Sequence, residues 1–337
     1  MMEIDGSQGE GGGQILRTAL SLAAITGQPL RLTRIRGRRP KPGLQRQHLA
    51  AVQAVAQICA AEVDGDELGS GALYFRPQAA ISGDYSIDIG SAGSATLVLQ
   101  TLLPILARGG GPSTLHIRGG THNPLAPSAD FIQRSWLPLL KRCGWQIDVT
   151  CQRRGFSPVG LGELQASIAP LQACIPLELV ERGKFLARDA EVLLANLPAH
   201  IAQREAATLK HALHWSDHEI RQSSVDASGP GNCIQAQLDF AQVTVLCSAI
   251  GSTGKRAEAV ANECARTVKR YLASDAPVCE YLADQLLLPL ALGAGGRIRC
   301  RSISEHCRSN AAVINQFLGP VVELGEDGWI QVEAWRG

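Results

Sequence analysis

The chain has 337 residues, of which 45% are hydrophobic and 19% are charged, and its formal net charge is +1. This length allows one large domain or a few smaller ones with apolar cores, and the near-zero charge argues against non-specific coating of nucleic acid. Without an apolar signal core at the N-terminus or a run of about 18 apolar residues, we expect a cytoplasmic protein with no membrane partner. The ten cysteines form no CxxC pair, so we expect buried, reduced thiols.

The first predicted elements are alternating strands and helices. They are a strand at 2–5, a helix at 13–26, a strand at 29–36, a helix at 43–60, and strands at 61–63 and 72–76. The turn before the first helix, DGSQGEGGGQILR (5–17), is rich in glycine and carries one carboxylate, Glu10, which is a candidate metal ligand. Gln14 stands where the third glycine of a dinucleotide fingerprint would fall, and no Gly-Lys-Ser/Thr follows, so the turn is neither that fingerprint nor a P-loop.

A basic arm, residues 31–46, follows the second strand. It contains seven Lys or Arg residues and no acidic residue. Such a run is usually a solvated face or a tail, but Pro40, Pro42 and Gly43 interrupt this one, and an amphipathic helix follows directly. Flexible backbone, a candidate metal ligand and concentrated positive charge favour the binding of a polyanionic substrate over a solvated loop.

An internal repeat sets the predicted architecture. Residues 85–168 repeat the element order of residues 3–78, and the small-residue turn GSAGSA takes the place of GEGGGQ. The repeated elements are a strand at 85–89, a helix at 94–107, a strand at 113–119, a helix at 127–142, and strands at 145–152 and 162–168.

A third copy is predicted to be split by an insertion. Its elements are a strand at 175–181, a helix that begins only at Glu280, a strand at 297–303, a helix at 307–318, and strands at 320–324 and 328–333. We therefore assign residues 182–275 to an inserted α/β domain, and residues 1–181 and 276–337 to a catalytic repeat domain. The inserted domain is expected to pack separately, far from the chemistry. The predicted fold class is α/β, with three βαβαββ repeats and this small insertion.

His306 is the leading candidate for covalent chemistry. It lies after a strand of the third repeat and at the start of a helix, with Ser309 and Asn310 in the first turn, and such junctions are where α/β folds place ligands. Neutral imidazole is nucleophilic near pH 7 and can attack phosphorus to form a phosphoramidate. For an isolated histidine, a surface or capping role is the more common one.

Two other segments carry candidate residues. In HALHWSDH (211–218), three histidines have helix-like spacing, but no acidic residue completes a metalloprotease-like motif, so an exposed helix end is favoured over a metal site. In EYLADQ (280–285), Tyr281, Asp284 and Gln285 share one helix face. The tyrosine there either stacks on a base or packs as part of an ordinary amphipathic helix.

These segments, taken in order, closely resemble the RNA 3′-terminal phosphate cyclase family. The matching stretches are DGSQGEGGGQILR, IRGRRPKPGLQRQHL, GSAGSATLVLQTLLP, GGTHNPLAPSADF, the VCEYLADQL helix and the HCRSN turn. The resemblance covers nearly the whole chain, including GPGN (229–232) in the insertion, and the motifs are specific as a set. It implies three repeats related to those of the enolpyruvyl transferases, plus an inserted domain.

The resemblance implies an ATP-dependent, ligase-type enzyme that acts on RNA with a 3′-phosphate end. In this family a histidine attacks the α-phosphorus of ATP and releases pyrophosphate, and AMP then passes to the RNA 3′-phosphate. The vicinal 2′-hydroxyl attacks the activated phosphate and expels AMP, which leaves a 2′,3′-cyclic phosphate. A divalent metal, Mg or Mn, and arginines neutralise the phosphates in such a transfer.

The resemblance also implies roles for individual residues. It makes His306 the nucleophile and Glu10 the metal ligand. The implied ATP contacts are Gln100, Pro127, Phe131, Tyr281, Leu282, Ala283, Asp284 and Gln285. The implied phosphate and RNA contacts are Arg17, Arg36, Arg39, Gln47 and His48.

Three segments depart from the family's usual pattern, at residues 37–38, 160–162 and 226–228. They lie in loops and in the insertion, so they bear on substrate preference more than on activity. The alternative function is a catalytically inactive, cyclase-like RNA-binding assembly factor, but such relatives lack the nucleophilic histidine that stands here at position 306. An enolpyruvyl transferase is suggested by fold analogy only, and homo-oligomerisation is left open.

Overall fold

The computed structural model of the protein describes residues 1–337 and contains four sheets of four strands each. The first unit comprises β1 (Met2–Asp5), α1 (Gly13–Thr26), β2 (Leu30–Thr33), α2 (Arg46–Ile58), β3 (Glu62–Asp64) and β4 (Leu73–Arg76). The second comprises β5 (Asp84–Asp88), α3 (Ala95–Ala107), β6 (Ser113–Gly119), α4 (Ala129–Phe131), a π-helical turn (Ile132–Trp136), α5 (Leu137–Arg142), β7 (Ile147–Arg153) and β8 (Gly162–Ile168).

The third unit is interrupted after its first strand. The strand is β9 (Leu177–Leu179), and the interrupting segment comprises β10 (Phe185–Ala195), α6 (His200–Leu213), β11 (Ile220–Ser224), β12 (Gly231–Phe240), β13 (Thr244–Ile250) and α7 (Ala257–Leu272). The unit then continues with α8 (Glu280–Leu292), β14 (Gly296–Arg299), α9 (Glu305–Leu318), β15 (Val322–Leu324) and β16 (Trp329–Val332).

The three units share one sheet topology. Their strand orders are β1-β2-β4-β3, β5-β6-β8-β7 and β9-β14-β16-β15. In each of these sheets the first two strands are parallel. The last strand of each unit, β4, β8 or β16, pairs antiparallel with both of its neighbours. The predicted α/β fold of three βαβαββ repeats is therefore confirmed. The fourth sheet, β11-β10-β12-β13, belongs to the interrupting segment and is mixed.

Helices from the three units pack against one another. α1 contacts α2, α3 and α9, and α8 contacts α9. α3 and most of α8 are buried, as expected for helices that consist largely of Leu, Ile, Val and Ala. One continuous apolar core includes residues of all three units and of the interrupting segment. This packing brings the first turns of α1, α8 and α9 to the same part of the molecule.

The observed bounds differ from the predicted ones at two places that matter for the site. The predicted strand at 29–36 ends at Thr33, because Arg34 and Arg36 have positive φ angles of 49° and 54°. The predicted helix at 43–60 begins at Arg46, after a turn that contains Pro42. The basic arm is therefore an irregular loop, and its arginines are not confined to one strand face.

The state of the cysteines and the length of the helices are as the composition predicts. All ten cysteines are free thiols, and seven of them are buried. None of the helices combines the length and the apolar character that a bilayer-spanning helix requires.

Glu205 on α6 is a fully buried carboxyl group in the interrupting segment. Asn232 Nδ2 donates a hydrogen bond to its Oε1, and its Oε2 has no hydrogen-bond partner. Burial raises the pKa of Glu205 from its ordinary 4.5 to about 7, although the Asn232 hydrogen bond opposes the shift. The raised pKa makes the stability of the fold depend on pH.

We expect the native protein to lose stability relative to a Glu205→Gln variant as the pH rises from about 5 to about 8. The unfolded chain ionises this carboxyl at a lower pH than the folded chain does, so deprotonation favours unfolding. A pKa displaced from 4.5 to about 7 corresponds to about 3 kcal/mol. Free energies of unfolding in urea at the two pH values measure the change, with the exposed Glu67→Gln as control. If the free energies of unfolding of the native and Glu205→Gln proteins differ by the same amount at both pH values, the raised pKa of Glu205 is wrong.

Candidate active site

A cleft of about 1230 Å³ lies between the repeat units and the interrupting segment. Residues of α1, α3, α8 and α9 line one side of it, and residues of β13 and α7 line the other. The edge strand β13 is held against the second unit, where Leu246 N donates to Ser135 Oγ at 3.0 Å. The expectation that the insertion packs far from the chemistry is therefore wrong, because Gln100, Tyr281 and His306 line the same cleft as β13 and α7.

The ring of His306 is held by its Nδ1 atom. Ser304 Oγ caps α9 by accepting from Cys307 N at 3.1 Å, which places His306 in the first helical turn. Its Nδ1 lies 2.7 Å from Gln14 Oε1 and 2.5 Å from Glu10 Oε2. Both neighbours are acceptors, so the hydrogen of the neutral ring is on Nδ1, and Nε2 keeps a free lone pair.

The charge state of His306 follows from its surroundings. Its side chain is 47% exposed. Burial of the remainder, together with the positive charges of Arg39 and Arg17, lowers the pKa of His306 below its ordinary value. The imidazole is therefore neutral at pH 7, which is the nucleophilic form.

Gln14 connects His306 to Asp284. Its Nε2 donates to Asp284 Oδ2 at 3.0 Å, while its Oε1 accepts from the histidine. Asn310 Nδ2 donates to the Asp284 carbonyl oxygen at 2.7 Å, and Thr18 Oγ1 donates to Asn310 Oδ1 at 2.7 Å. Asp284 is partly open to the cleft, yet burial raises its pKa to about 7. Side chains from α1, α8 and α9 thus form one hydrogen-bonded network.

Glu10 lies beside this network in the glycine-rich turn. Its backbone N donates to Ser309 Oγ at 3.2 Å, and its Oε1 forms an ion pair with Arg39. Its Oε2 is buried and, apart from the close approach of His306 Nδ1, lacks a hydrogen-bond partner. No group of three or more His, Cys, Asp or Glu side chains is arranged to hold a metal by itself. A single buried carboxylate oxygen fits a Mg²⁺ or Mn²⁺ ion whose other ligands are substrate phosphates and water.

Arg17 and Arg36 concentrate positive charge near the start of α1. Arg17 is half-buried and forms no ion pair, and burial lowers its pKa to about 10, so it stays charged at pH 7. Burial also lowers the pKa of Arg36, whose Nη1 donates to Gly43 O at 3.0 Å. An unpaired, half-buried guanidinium favours the binding of an anion such as phosphate.

His48 is a neutral donor in the same place. It is 4% exposed, and its Nδ1 accepts from Gln45 N at 3.3 Å in the cap of α2, so the ring hydrogen is on Nε2. Burial, with the charges of Arg17 and Arg36, lowers the pKa of His48 to about 3. His48 therefore contributes a hydrogen bond without adding charge.

The glycines of the turn allow these side chains to approach the backbone closely. A Cβ on Gly12 would lie 2.7 Å from Arg39 Nη2, and a Cβ on Gly13 would overlap His48 Nε2 and lie 3.0 Å from Arg17 Nη1. Gly9 and Gly11 also have positive φ angles, of 52° and 59°, which glycine adopts without strain. The glycines of GEGGG therefore allow the observed shape of the site.

Three glutamines of the implied site make contacts between units. Gln47 Oε1 accepts from Ser94 N at 2.8 Å at the start of α3, so this side chain joins the first and second units. Gln100 Nε2 donates to Gln285 Oε1 at 2.6 Å, and Gln285 Nε2 donates to Tyr281 O at 2.6 Å. These bonds fix the helix starts around the cleft.

The remaining implied ATP contacts divide into two groups. Pro127, Phe131 and Tyr281 line the cleft, and Tyr281 is 57% exposed. Leu282 and Ala283 are 0% and 1% exposed and do not line the cleft. The helical period directs these two side chains into the core, so only their backbone atoms are near the cleft surface.

Reasoning from the sequence missed two parts of this site. Gln14 was noted only as the residue that excludes a dinucleotide fingerprint, although its position in the first turn of α1 put it beside Glu10. The wall formed by β13 and α7 carried no sequence signal, because it depends on how the interrupting segment packs. In the 211–218 segment, the rings of His211 and His214 are tilted at 52° with centroids 6.5 Å apart, and His211, His214 and His218 do not come together as a cluster of metal ligands.

Comparisons with known proteins identify the family of the chain. A family model described as RNA 3′-terminal phosphate cyclase matches residues 8–324. A protein named RNA 3′-terminal phosphate cyclase from Koribacter versatilis (strain Ellin345) is 46% identical over 328 residues, covering 97% of this chain and 92% of the relative. A protein of the same name from Ectopseudomonas mendocina (strain ymp) is 47% identical over 318 residues, covering 94% of this chain and 92% of the relative.

Among solved structures, the EPSP synthase from Acinetobacter baumannii aligns with 95% of this chain and 79% of its own, at 12% identity and a TM-score of 0.30. That similarity is too low to carry an argument. The family match and the two relatives, which cover almost the whole chain, show that it belongs to the RNA 3′-terminal phosphate cyclase family.

Proposed function

We propose that this chain is an ATP-dependent, ligase-class enzyme that converts the 3′-terminal phosphate of RNA into a 2′,3′-cyclic phosphate through a covalent histidine–AMP intermediate. Family membership supports the overall reaction. The observation that carries the mechanism is the Nδ1 contact of His306 with Gln14, which leaves Nε2 unprotonated within a cleft that also holds Arg17. The inactive assembly-factor alternative has no comparable observation in its favour.

The proposed reaction has three steps. His306 Nε2 attacks the α-phosphorus of ATP, the bond to the pyrophosphate oxygen breaks, and a phosphoramidate forms. An oxygen of the RNA 3′-phosphate then attacks the same phosphorus, and His306 leaves as the neutral ring, so AMP becomes joined to the RNA end. Finally the 2′-hydroxyl attacks the 3′-phosphorus, loses its proton, and expels AMP.

Gln14 is proposed to be a positioning residue for the first step. As the phosphoramidate forms, positive charge develops on the imidazole ring, and the Nδ1 hydrogen bond to Gln14 Oε1 strengthens. The amide keeps the ring in the correct tautomer without making the free imidazole more basic. Glu10 Oε2 also approaches Nδ1, but Glu10 is paired with Arg39, which offsets its negative charge. A second carboxylate, at position 14, would stabilise imidazolium and deplete the nucleophilic form at neutral pH.

The phosphates of ATP are proposed to lie against Arg17, Arg36, Arg39 and His48. Phosphoryl-type transfer depends chiefly on positioning and on neutralising charge, and this group supplies three cations and one neutral donor. Glu10 would hold a divalent ion, which, when bound, withdraws charge from the phosphate oxygens. The adenine is proposed to contact Pro127, Phe131 and Tyr281, since these line the cleft near Asp284 and the Gln100–Gln285 pair.

The first test removes the nucleophile. His306→Ala is expected to abolish transfer of the α-phosphate label of ATP to the protein as an acid-labile, alkali-stable adduct. The exposed His218→Ala, on the interrupting segment, is the matched control and should label like the native protein. Circular dichroism checks that both variants fold. Undiminished labelling of His306→Ala overturns the mechanism.

A second test addresses the tautomer. Gln14→Ala is expected to lower the rate of AMP–protein formation by about three- to ten-fold, the usual effect of one hydrogen bond. Gln14→Glu keeps an acceptor but adds negative charge, so it should raise the pKa of His306 and move the acidic limb of the pH–rate profile to higher pH. A purely structural role for Gln14 predicts lower stability with no movement of that limb.

A third test concerns the metal ligand. Glu10→Ala is expected to lower AMP–protein formation by roughly ten- to a hundred-fold, with partial recovery at raised Mg²⁺ or Mn²⁺ concentration. Glu3→Ala, an exposed residue of β1, serves as the control. Formation at the native rate, with an unchanged dependence on metal concentration, would show that Glu10 does not hold the ion.

A further inference from the structure

The cleft is larger than one nucleotide requires. Pockets of about 300–1,000 Å³ enclose a drug-sized ligand, whereas this one measures about 1230 Å³. The adenine contacts proposed above line the cleft on α3, α4 and α8, and Arg17 of α1 lines it as well. The other proposed phosphate contacts, Arg36, Arg39 and His48, lie outside the cleft lining, on the basic arm and α2. The opposite side, formed by β13 and α7, has no role in that proposal, although it encloses the same space.

One face of α7 forms much of this second wall. The residues of α7 and its C-terminal end that line the cleft recur at helical spacing and are Glu263, Arg266, Thr267, Arg270, Tyr271 and Ser274. Hydroxyl groups of Ser248, Ser252 and Ser302 lie on the lining as well. Cations and hydroxyls of this kind are the usual partners of a nucleic-acid backbone.

The charges on this wall differ in whether they are already compensated. Lys255 pairs with Glu263 at 2.7 Å, and Arg270 pairs with Glu280 at 2.9 Å. Arg266 has no carboxylate within 4.0 Å, and it is exposed on the cleft side of α7. The positive charge available to a ligand on this helix therefore centres on Arg266.

Arg301 is a second uncompensated cation on the lining. It lies in the loop between β14 and α9, five positions before His306, and it is exposed and forms no ion pair. Arg266 belongs to the interrupting segment and Arg301 to the third unit. The two guanidinium groups therefore border the cleft from two different parts of the molecule.

We propose that the interrupting segment is the RNA-binding wall of the enzyme, and that Arg266 and Arg301 bind backbone phosphates of a single-stranded RNA 3′ end. This inference rests on the proposed function, which supplies RNA as the substrate. The strand lies along α7, and its terminal phosphate reaches the AMP carried by His306.

Binding of a fluorescent single-stranded RNA with a 3′-phosphate, measured by anisotropy without ATP, tests this surface independently of catalysis. Arg266→Ala and Arg301→Ala are each expected to raise the Kd about ten-fold. Each should also reduce the slope of log affinity against log salt by about 0.7, the contribution of one phosphate contact on a single strand. AMP–protein formation should be unchanged in both variants.

Two variants make the comparison specific. Lys269→Ala removes an exposed, unpaired cation from α7 that does not line the cleft, so its Kd should match that of the native protein. Arg266→Lys keeps the charge and should retain most of the affinity. An equal loss in Lys269→Ala overturns the proposal, because it would indicate a general charge effect.

The remaining outcomes separate this proposal from the proposed function. If the native protein cyclises RNA but Arg266→Ala and Arg301→Ala leave the Kd and the salt slope unchanged, these arginines do not bind the RNA. The proposed enzymatic function is then unaffected. If the native protein binds RNA through these arginines but forms no cyclic phosphate, the proposed RNA-binding surface is supported and the proposed enzymatic function is wrong. Failure of the native protein to bind the RNA overturns the wall directly.

Discussion

The hydrogen bond between His306 Nδ1 and Gln14 Oε1, 2.7 Å long, joins the third repeat unit to the first. Hydrogen bonds tolerate only a few tenths of an ångström of displacement, so α1 and α9 must stay in register for the bond to persist. The Ser304 cap fixes the start of α9, and direct packing of α1 on α9 fixes the distance between the helices. The tautomer of the proposed nucleophile therefore depends on the packing of whole repeat units.

Repetition of one unit explains how the site gathers different groups in one place. Gln100 and Gln285 each occupy the sixth position of the first helix in their units, α3 and α8, and their side chains hydrogen-bond to each other. By the same alignment Arg17 of α1 corresponds to Asp284 of α8, one cation and one carboxyl at equivalent positions. The first turns of equivalent helices lie close together because the units pack helix against helix. Different side chains at the equivalent positions then give each helix a different role in the site.

The sequence was sufficient to predict the fold, because periodicity and repetition are local signals. The order of strands and helices and the split in the third unit followed from the printed residues, and the sheet topology confirmed them. The end of β2 at Thr33 and the start of α2 at Arg46 were not predicted, since positive φ angles and cap geometry depend on side-chain contacts.

Individual site residues were predictable to different degrees. His306, Glu10 and Arg39 lie in recognisable motifs, and the structure brings them into contact. Leu282 and Ala283 share a motif with Asp284 but point into the core, which a motif alone does not reveal. The role of Gln14 could be seen only once the position of α9 was known. The wall formed by α7 depends on how the interrupting segment packs, although α7 ends only eight residues before the EYLADQ motif.

Under the proposed function, the distribution of ion pairs would let a nearly neutral protein favour an RNA end over nucleic acid in general. A formal charge of +1 gives little long-range attraction, and pairs such as Arg270–Glu280 and Lys255–Glu263 cancel much of the charge around the cleft. The uncompensated guanidinium groups of Arg17, Arg266 and Arg301 all line the same cleft. In the proposed complex, these are the positions that phosphates of a strand terminus would occupy. Since Arg270 pairs with Glu280 in the first turn of α8, α7 and the helix that carries Tyr281 are directly connected.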